Sequence, residues 1–171
     1  MHLIEPCCAP KHLLALRESL GENGTAFWHG YGDLSLAELL SALLIRYCET
    51  EMTLVSPSLP DVAAEALKIA MHRTRARMDG KGNLNAIAHL TLITDLSEKR
   101  SPLASTWLKD NPFGDRLTLK NVQQNDTALL LPDLALYGAI NLQYGHHFTA
   151  MATKNAGTIA ALRGVYEGLK N

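Results

Sequence analysis

A chain of 171 residues, 47% of them hydrophobic and 19% charged, has ordinary globular composition and can bury roughly 70% of its unfolded surface in one core. Its formal net charge of −1 excludes a molecule drawn as a whole onto DNA or an anionic membrane, so any nucleic-acid contact needs a local basic patch. Cys7, Cys8 and Cys48 make neither a disulfide framework nor a zinc spacing, and no run reaches the ~18 apolar residues of a membrane span.

The opening "MHLIEPCCAPKHLL" lacks the basic-then-apolar pattern of a leader. The expectation is a cytoplasmic protein with reduced thiols, no membrane association, and no cofactor or metal. Residues 11–20 predict a short amphipathic helix ended by Gly21, with Asn23-Gly24 as a turn. Residues 1–24 then form an N-terminal helical segment ahead of a single domain over 25–171.

"TAFWHGY" (25–31) predicts a strand. "SLAELLSALLIRYCE" (35–49) predicts a helix, because Ser35 and Glu38 have capping-box spacing and Leu36, Leu39, Leu40, Leu43 and Leu44 make one stripe. "EMTLVSPSL" (51–59) is a strand stopped by Pro57 and Pro60, and Asp61 caps the amphipathic "VAAEALKIAMHRTRARM" (62–78). "AIAHLTLITD" (86–95) is a third strand. "SPLASTWLKDN" (101–111) is a short helix with Ser101 as cap and Pro102 at its first position. This alternation predicts 26–31, 52–56 and 90–95 as neighbouring parallel strands with helices 35–48 and 62–77 packed on them.

After Pro112, "RLTLKNV", "TALLLPD", "LALYGAI" and "HHFTAMAT" leave no room for intervening helices. Pro132-Asp133 turns the second of these back into the third as a hairpin. Asn155 caps a closing helix, despite Gly157, Gly164 and Gly168. The fold class is α/β: a mixed β-sheet with flanking helices, parallel in its first half and extended by antiparallel strands.

Ligands of open α/β sheets sit beyond the carboxyl ends of parallel strands. Those ends offer Tyr31, Asp33, Ser56, Ser58 and Asp95 as a ligand-binding rim. Gly30-x-Gly32 either presents N–H groups to an anion or is a plain turn before the caps Asp33 and Ser35. The tract "HRTRARMDGK" brings His72, Arg73, Arg75, Arg77 and Lys81 to a helix C-terminus. There they complement the helix dipole, or bind the phosphates of a nucleic acid.

"LALYGAINLQYGHHF" (134–148) holds Gly138, Asn141 and the pair His146-His147. Gly138 and Asn141, with small Ala139 between them, resemble the tail of the phospholipase D-like, or HKD nuclease, signature. That signature reads His-x-Lys-x-x-x-x-Asp, then Gly-Ser/Gly-x-Asn after six residues. The hairpin before the glycine, the strand after the asparagine and the closing helix are similar to one module of that superfamily.

The likeness implies a phosphohydrolase ancestry in which the histidine attacks phosphorus while lysine and asparagine hold the phosphoryl oxygens. The chemical half of the motif is missing. Counting back from Gly138 places Gln124, Asp126 and Leu131 at the His, Lys and Asp positions, and a one-residue slip gives Asn125, Thr127 and Pro132. His146 and His147 are adjacent on a strand, so at most one can face a given site; each is a packing, binding or catalytic residue. With Asn141 they are the catalytic candidates.

The reading that follows is a degenerate phospholipase D-like, endonuclease-like protein that binds or assembles without catalysis. Its partners are nucleic acid or another protein. The alternative is an active phosphodiesterase or nuclease with relocated residues, such as His146 or His29 with the basic helix. A small-molecule-binding α/β domain is a third class. Single-module members of the superfamily pair two copies, which implies a homodimer.

Overall fold

The computed structural model describes residues 20–31, 51–73, 89–139 and 147–170. Apolar runs become strands β1 (Thr25–Tyr31), β2 (Glu51–Val55), β3 (His89–Thr94), β4 (Leu117–Asn121), β5 (Ala128–Leu130), β6 (Ala135–Ala139) and β7 (His147–Thr153). Helices α1 (Asp61–Arg73) and α2 (Pro102–Asp110) follow β2 and β3, and α3 (Ala156–Glu167) follows β7. The predicted helix over 35–48, and nearly all of that over 11–20, lie outside the described residues.

The strands form one sheet in the order β1-β7-β6-β5-β2-β3-β4. β2, β3 and β4 are parallel, and every other pairing is antiparallel. The sheet is mixed, as expected, but two placements differ. β1 is not a neighbour of β2: it lies on the opposite edge, paired antiparallel with β7 along all seven residues from Thr25↔Thr153 to Tyr31↔His147.

A hydrogen bond between the hydroxyls of Thr25 and Thr153 (2.8 Å), and Lys154 N–H donating to Gly24 O (2.8 Å), fasten that edge. The edge of β2 where β1 was expected is taken by β5. The third parallel strand is β4, reached through α2. β1 still points the same way as β2, because an even number of reversals separates them.

Alternation along the strands makes two cores. Met52, Leu54, Leu90, Leu92, Leu129 and Leu136 face α1 and α2, where Leu67, Met71 and Trp107 meet them. Val55, Ile93, Ala128, Leu130 and Ala135 face α3 through Ile159 and Tyr166. Leu20, 7% exposed, belongs to the first core, so the end of the N-terminal segment is tied to the domain.

Local signals hold with some reassignments. Asn155 caps α3, its Oδ1 accepting from Thr158 N–H at 2.8 Å. Leu131 N–H donates to Leu134 O (2.8 Å) and closes the Pro132-Asp133 hairpin. Ser101 precedes α2 but does not cap it with its side chain. Its hydroxyl donates to Asp95 O (2.7 Å) and accepts from Leu59 N–H (2.8 Å), joining the loops after β2 and β3. Asp61 begins α1, and its carboxylate accepts from Leu103 N–H (3.1 Å), which ties the first turns of α1 and α2 together.

Gly138 does not break its strand. It sits inside β6 with φ +135°, its N–H donating to Thr127 O at 3.1 Å. That conformation is open to glycine and strongly disfavoured for other residues.

Candidate functional site

The carboxyl ends of β2, β3 and β4 lie side by side, and the segments leaving them enclose a polar cavity of about 460 Å³. Pro57 comes from the segment after β2, Asp95 and Ser97 from the turn after β3, and Lys99 and Arg100 from the approach to α2. Gln123, Gln124 and Asn125 come from the connection between β4 and β5. Parallel pairing explains the convergence, since three chain exits lie about 5 Å apart at one end of the sheet.

The loops are held by backbone and side-chain hydrogen bonds. Val122 N–H donates to Thr94 O (3.0 Å), and Leu96 N–H to Asn121 Oδ1 (2.9 Å). Asp95 is 9% exposed and bends its own turn, Oδ1 accepting from Ser97 N–H at 3.0 Å. Gln124 Oε1 accepts from Asp126 N–H, which fixes the amide so that Nε2 is the free donor. That Nε2 is buried without a hydrogen-bond partner, as is Thr94 Oγ1 at the end of β3.

Lys99 and Arg100 are exposed and ion-pair with no carboxylate among the described residues; Glu98 beside them pairs with Lys109 (3.6 Å) instead. Behind the loop, Tyr166 on α3 donates to Asp126 Oδ2 across a long 3.5 Å. Burial, then the Asp126 charge and hydrogen bond, and last Tyr137, raise the Tyr166 pKa above its ordinary value.

Of the rim predicted from sequence, Asp95 lines this cavity. Ser56 is fully buried and its hydroxyl donates to Ser58 O; Pro57 between them is the lining residue. Tyr31 ends β1 at the same end of the sheet, but β7, β6 and β5 separate it from β2. The register sets Tyr31 opposite His147 and His29 opposite Thr149. Asp33, Asn141, His146, Arg75, Arg77 and Lys81 lie outside the described residues.

Arg73 ends α1. The helix runs back from the cavity end of the sheet for thirteen residues, about 20 Å, so the basic tract begins at the other end. Arg116, just ahead of β4, donates to Met71 O there (3.1 Å).

Sequence reasoning did not single out Lys99, Arg100, Gln123 or Pro57. The one signal available was the run "SEKR" directly after a strand end. Gln124 and Asn125 were noted only as the residues standing where a catalytic histidine belongs. Among the described residues, no group of three or more His, Cys, Asp or Glu could hold a metal ion, and no helix is long and apolar enough to cross a membrane.

No family model matches the chain. No curated protein matches it by sequence. Among solved structures it is similar to polyphosphate kinase from Porphyromonas gingivalis, with a TM-score of 0.56 at 15% identity, over 97% of this chain and 30% of the kinase. The fold is phospholipase D-like.

The chain is also similar to TrmBL2, an archaeal chromatin protein whose structure shows a novel mode of DNA binding. That match has a TM-score of 0.51 at 15% identity, over 93% of this chain and 57% of TrmBL2. NucT from Helicobacter pylori matches over 83% of this chain and 94% of its own, with 14% identity and a TM-score of 0.49. The kinase is a member of the phospholipase D superfamily, and at 15% identity the likeness is one of fold alone. The chain spans little more than half of TrmBL2 and under a third of the kinase.

Proposed function

We propose that this chain is a phospholipase D-like domain that binds nucleic acid without cleaving it. The observation that carries the reading is the cavity at the strand ends. Among the described residues it offers two cations free of ion pairs and three side-chain amides. Hydrolysis of a phosphodiester by the superfamily's route needs a nucleophile, an acid for the leaving group and cationic stabilisation of the transition state. Gln124 and Asp126, at the His and Lys positions, supply none of these. What is left of such a site is the part that holds a phosphate.

The DNA-binding neighbour supports nucleic acid as the ligand, and the basic residues Arg73, Arg75, Arg77 and Lys81 are proposed as further phosphate contacts for a longer strand. Ser58, in the segment after β2 that supplies Pro57, is proposed as an outer rim residue of the cavity. A homodimer built across a two-fold axis belongs to the same reading, and light scattering at micromolar concentration checks it.

The test is fluorescence anisotropy with labelled single-stranded and duplex oligonucleotides at several salt concentrations. Affinity should fall steeply with salt, because it rests on phosphate contacts. Lys99→Ala with Arg100→Ala should weaken it, as should charge reversal at Arg73, Arg75 and Arg77. A chromogenic phosphodiester should stay uncleaved with and without divalent metal. Metal-independent cleavage lost on His146→Ala or His147→Ala would install the enzyme alternative.

A further inference from the structure

The cavity contains a feature that a simple phosphate cradle does not need. Asp95 places a carboxylate in its wall, beside Lys99 and Arg100. A carboxylate repels a phosphate and lowers affinity for it. The same wall holds Gln124, whose Oε1 is occupied by Asp126 N–H and whose Nε2 is a buried donor without a partner. A buried donor left unpaired is costly, and a ligand acceptor would remove that cost.

The site therefore combines cations, an amide donor that wants an acceptor, and a carboxylate that wants N–H donors. An inorganic anion satisfies only the first two. A nucleobase edge satisfies the last two together, because it sets amino or imino N–H groups next to a carbonyl oxygen.

We infer that the cavity binds one unpaired nucleotide and reads its base. Lys99 and Arg100 take the phosphate, Asp95 accepts N–H donors from the base edge, and Gln124 Nε2 donates to its carbonyl. Pro57, the apolar member of the described lining, gives the ring face a surface. Guanine presents two adjacent N–H donors beside a carbonyl and matches this edge most fully. The volume of about 460 Å³ lies within the ~300–1,000 Å³ of small-ligand pockets. The ligand is either a free mononucleotide or a single base flipped from a strand; the recognition chemistry is the same. This inference rests on the nucleic-acid reading of the same cavity but makes a separate demand, that a base be read.

Calorimetry on the full chain with guanosine 5′-monophosphate, adenosine 5′-monophosphate, guanosine and inorganic phosphate tests it. The guanine nucleotide should bind about tenfold tighter than each of the other three. Asp95→Asn keeps an oxygen for Ser97 N–H and removes the charge. It should weaken the guanine nucleotide about tenfold and strengthen inorganic phosphate, an inversion that misfolding cannot produce. Lys99→Ala, at an exposed site, should weaken the nucleotide and phosphate together and leave guanosine unchanged.

Equal affinity for the two nucleotides, or phosphate as tight as either, would overturn the inference. So would Asp95→Asn changing nucleotide and phosphate in the same direction. A single-stranded guanine-containing oligonucleotide distinguishes the sources: competition by it assigns a base within a strand, and competition by the mononucleotide alone assigns a free nucleotide. Oligonucleotide binding that ignores every cavity variant defeats this inference and leaves the broader nucleic-acid reading standing. Mononucleotide binding with no oligonucleotide affinity does the reverse.

Discussion

Strands β2, β3 and β4 run parallel and send their three exits into one polar cavity. Strands β5, β6, β7 and β1 alternate in direction, and successive exits leave from opposite ends of the sheet. The two halves share a sheet and two continuous cores, yet among the described residues only the parallel half gathers the exits of three adjacent strands at one end. The antiparallel half contains Gly138, the described residue of the two that resemble a nuclease motif. Gly138 there has a structural reason of its own, a φ of +135° inside β6. Among the described residues, the motif positions therefore touch the cavity only at the histidine position, Gln124, while Gly138 serves the backbone of β6.

The comparison breaks most severely at Trp107. It is 3% exposed, packs edge-on against Phe113 with centroids 5.9 Å apart, and is the only large side chain among the buried residues of α2. Trp107→Ala should cost about 3–5 kcal/mol and loosen the loop from Asp95 to Ser101 that walls the cavity. Denaturant unfolding reads the loss. A cost below about 1 kcal/mol would mean that α2 is held to the parallel half by something else.

Gly138→Ala is the corresponding stress on the antiparallel half. Alanine at a φ of +135° is strained by about 1–3 kcal/mol whatever space surrounds it. A neutral result would show that β6 relaxes there and that the glycine is not required by the backbone. Gly164, mid-way along α3, makes the opposite case. A Cβ added there meets nothing within 4 Å, so Gly164→Ala should stabilise the chain by about 0.5–1 kcal/mol through helix propensity alone. Destabilisation would reveal a close contact at that position.

Much of this architecture was legible because its signals are local. Pro132-Asp133 marked the hairpin, Asn155 the helix cap, and the apolar runs the positions of the strands along the chain. Strand order was not legible. β1 and β2 follow one another in the chain with a helical pattern between them, and adjacency is the usual outcome. β7, near the other end of the chain, competes for β1 with a full seven-residue ladder that no local pattern announces. The cavity was legible only in Asp95. Neutral amides such as Gln123, Gln124 and Asn125 have no periodicity or motif, and Lys99 and Arg100 read as an ordinary solvated run. Their meaning comes from which strand ends stand next to each other.

The smallest expected effect lies where the two halves meet, at Tyr166. Its ring is buried against the α3 core, and its hydroxyl reaches Asp126 in the loop behind the cavity at 3.5 Å. At neutral pH that long contact contributes little, and Tyr166→Phe should cost about 0.5 kcal/mol. The pH dependence is more informative. Burial first, then the negative charge of Asp126, raise the Tyr166 pKa from its ordinary 10.0. The neutral phenol is thus favoured in the folded chain, and the stability it contributes is fully present below the unfolded value. Above that value the unfolded chain sheds the proton first and binds fewer protons than the folded one, so stability falls as pH rises toward the folded pKa. Urea unfolding from about pH 8 to about pH 11 should show a steeper alkaline decline for the natural chain than for Tyr166→Phe. Parallel declines would mean that the phenol is as free to ionise folded as unfolded, and that α3 does not brace the cavity loop through Asp126.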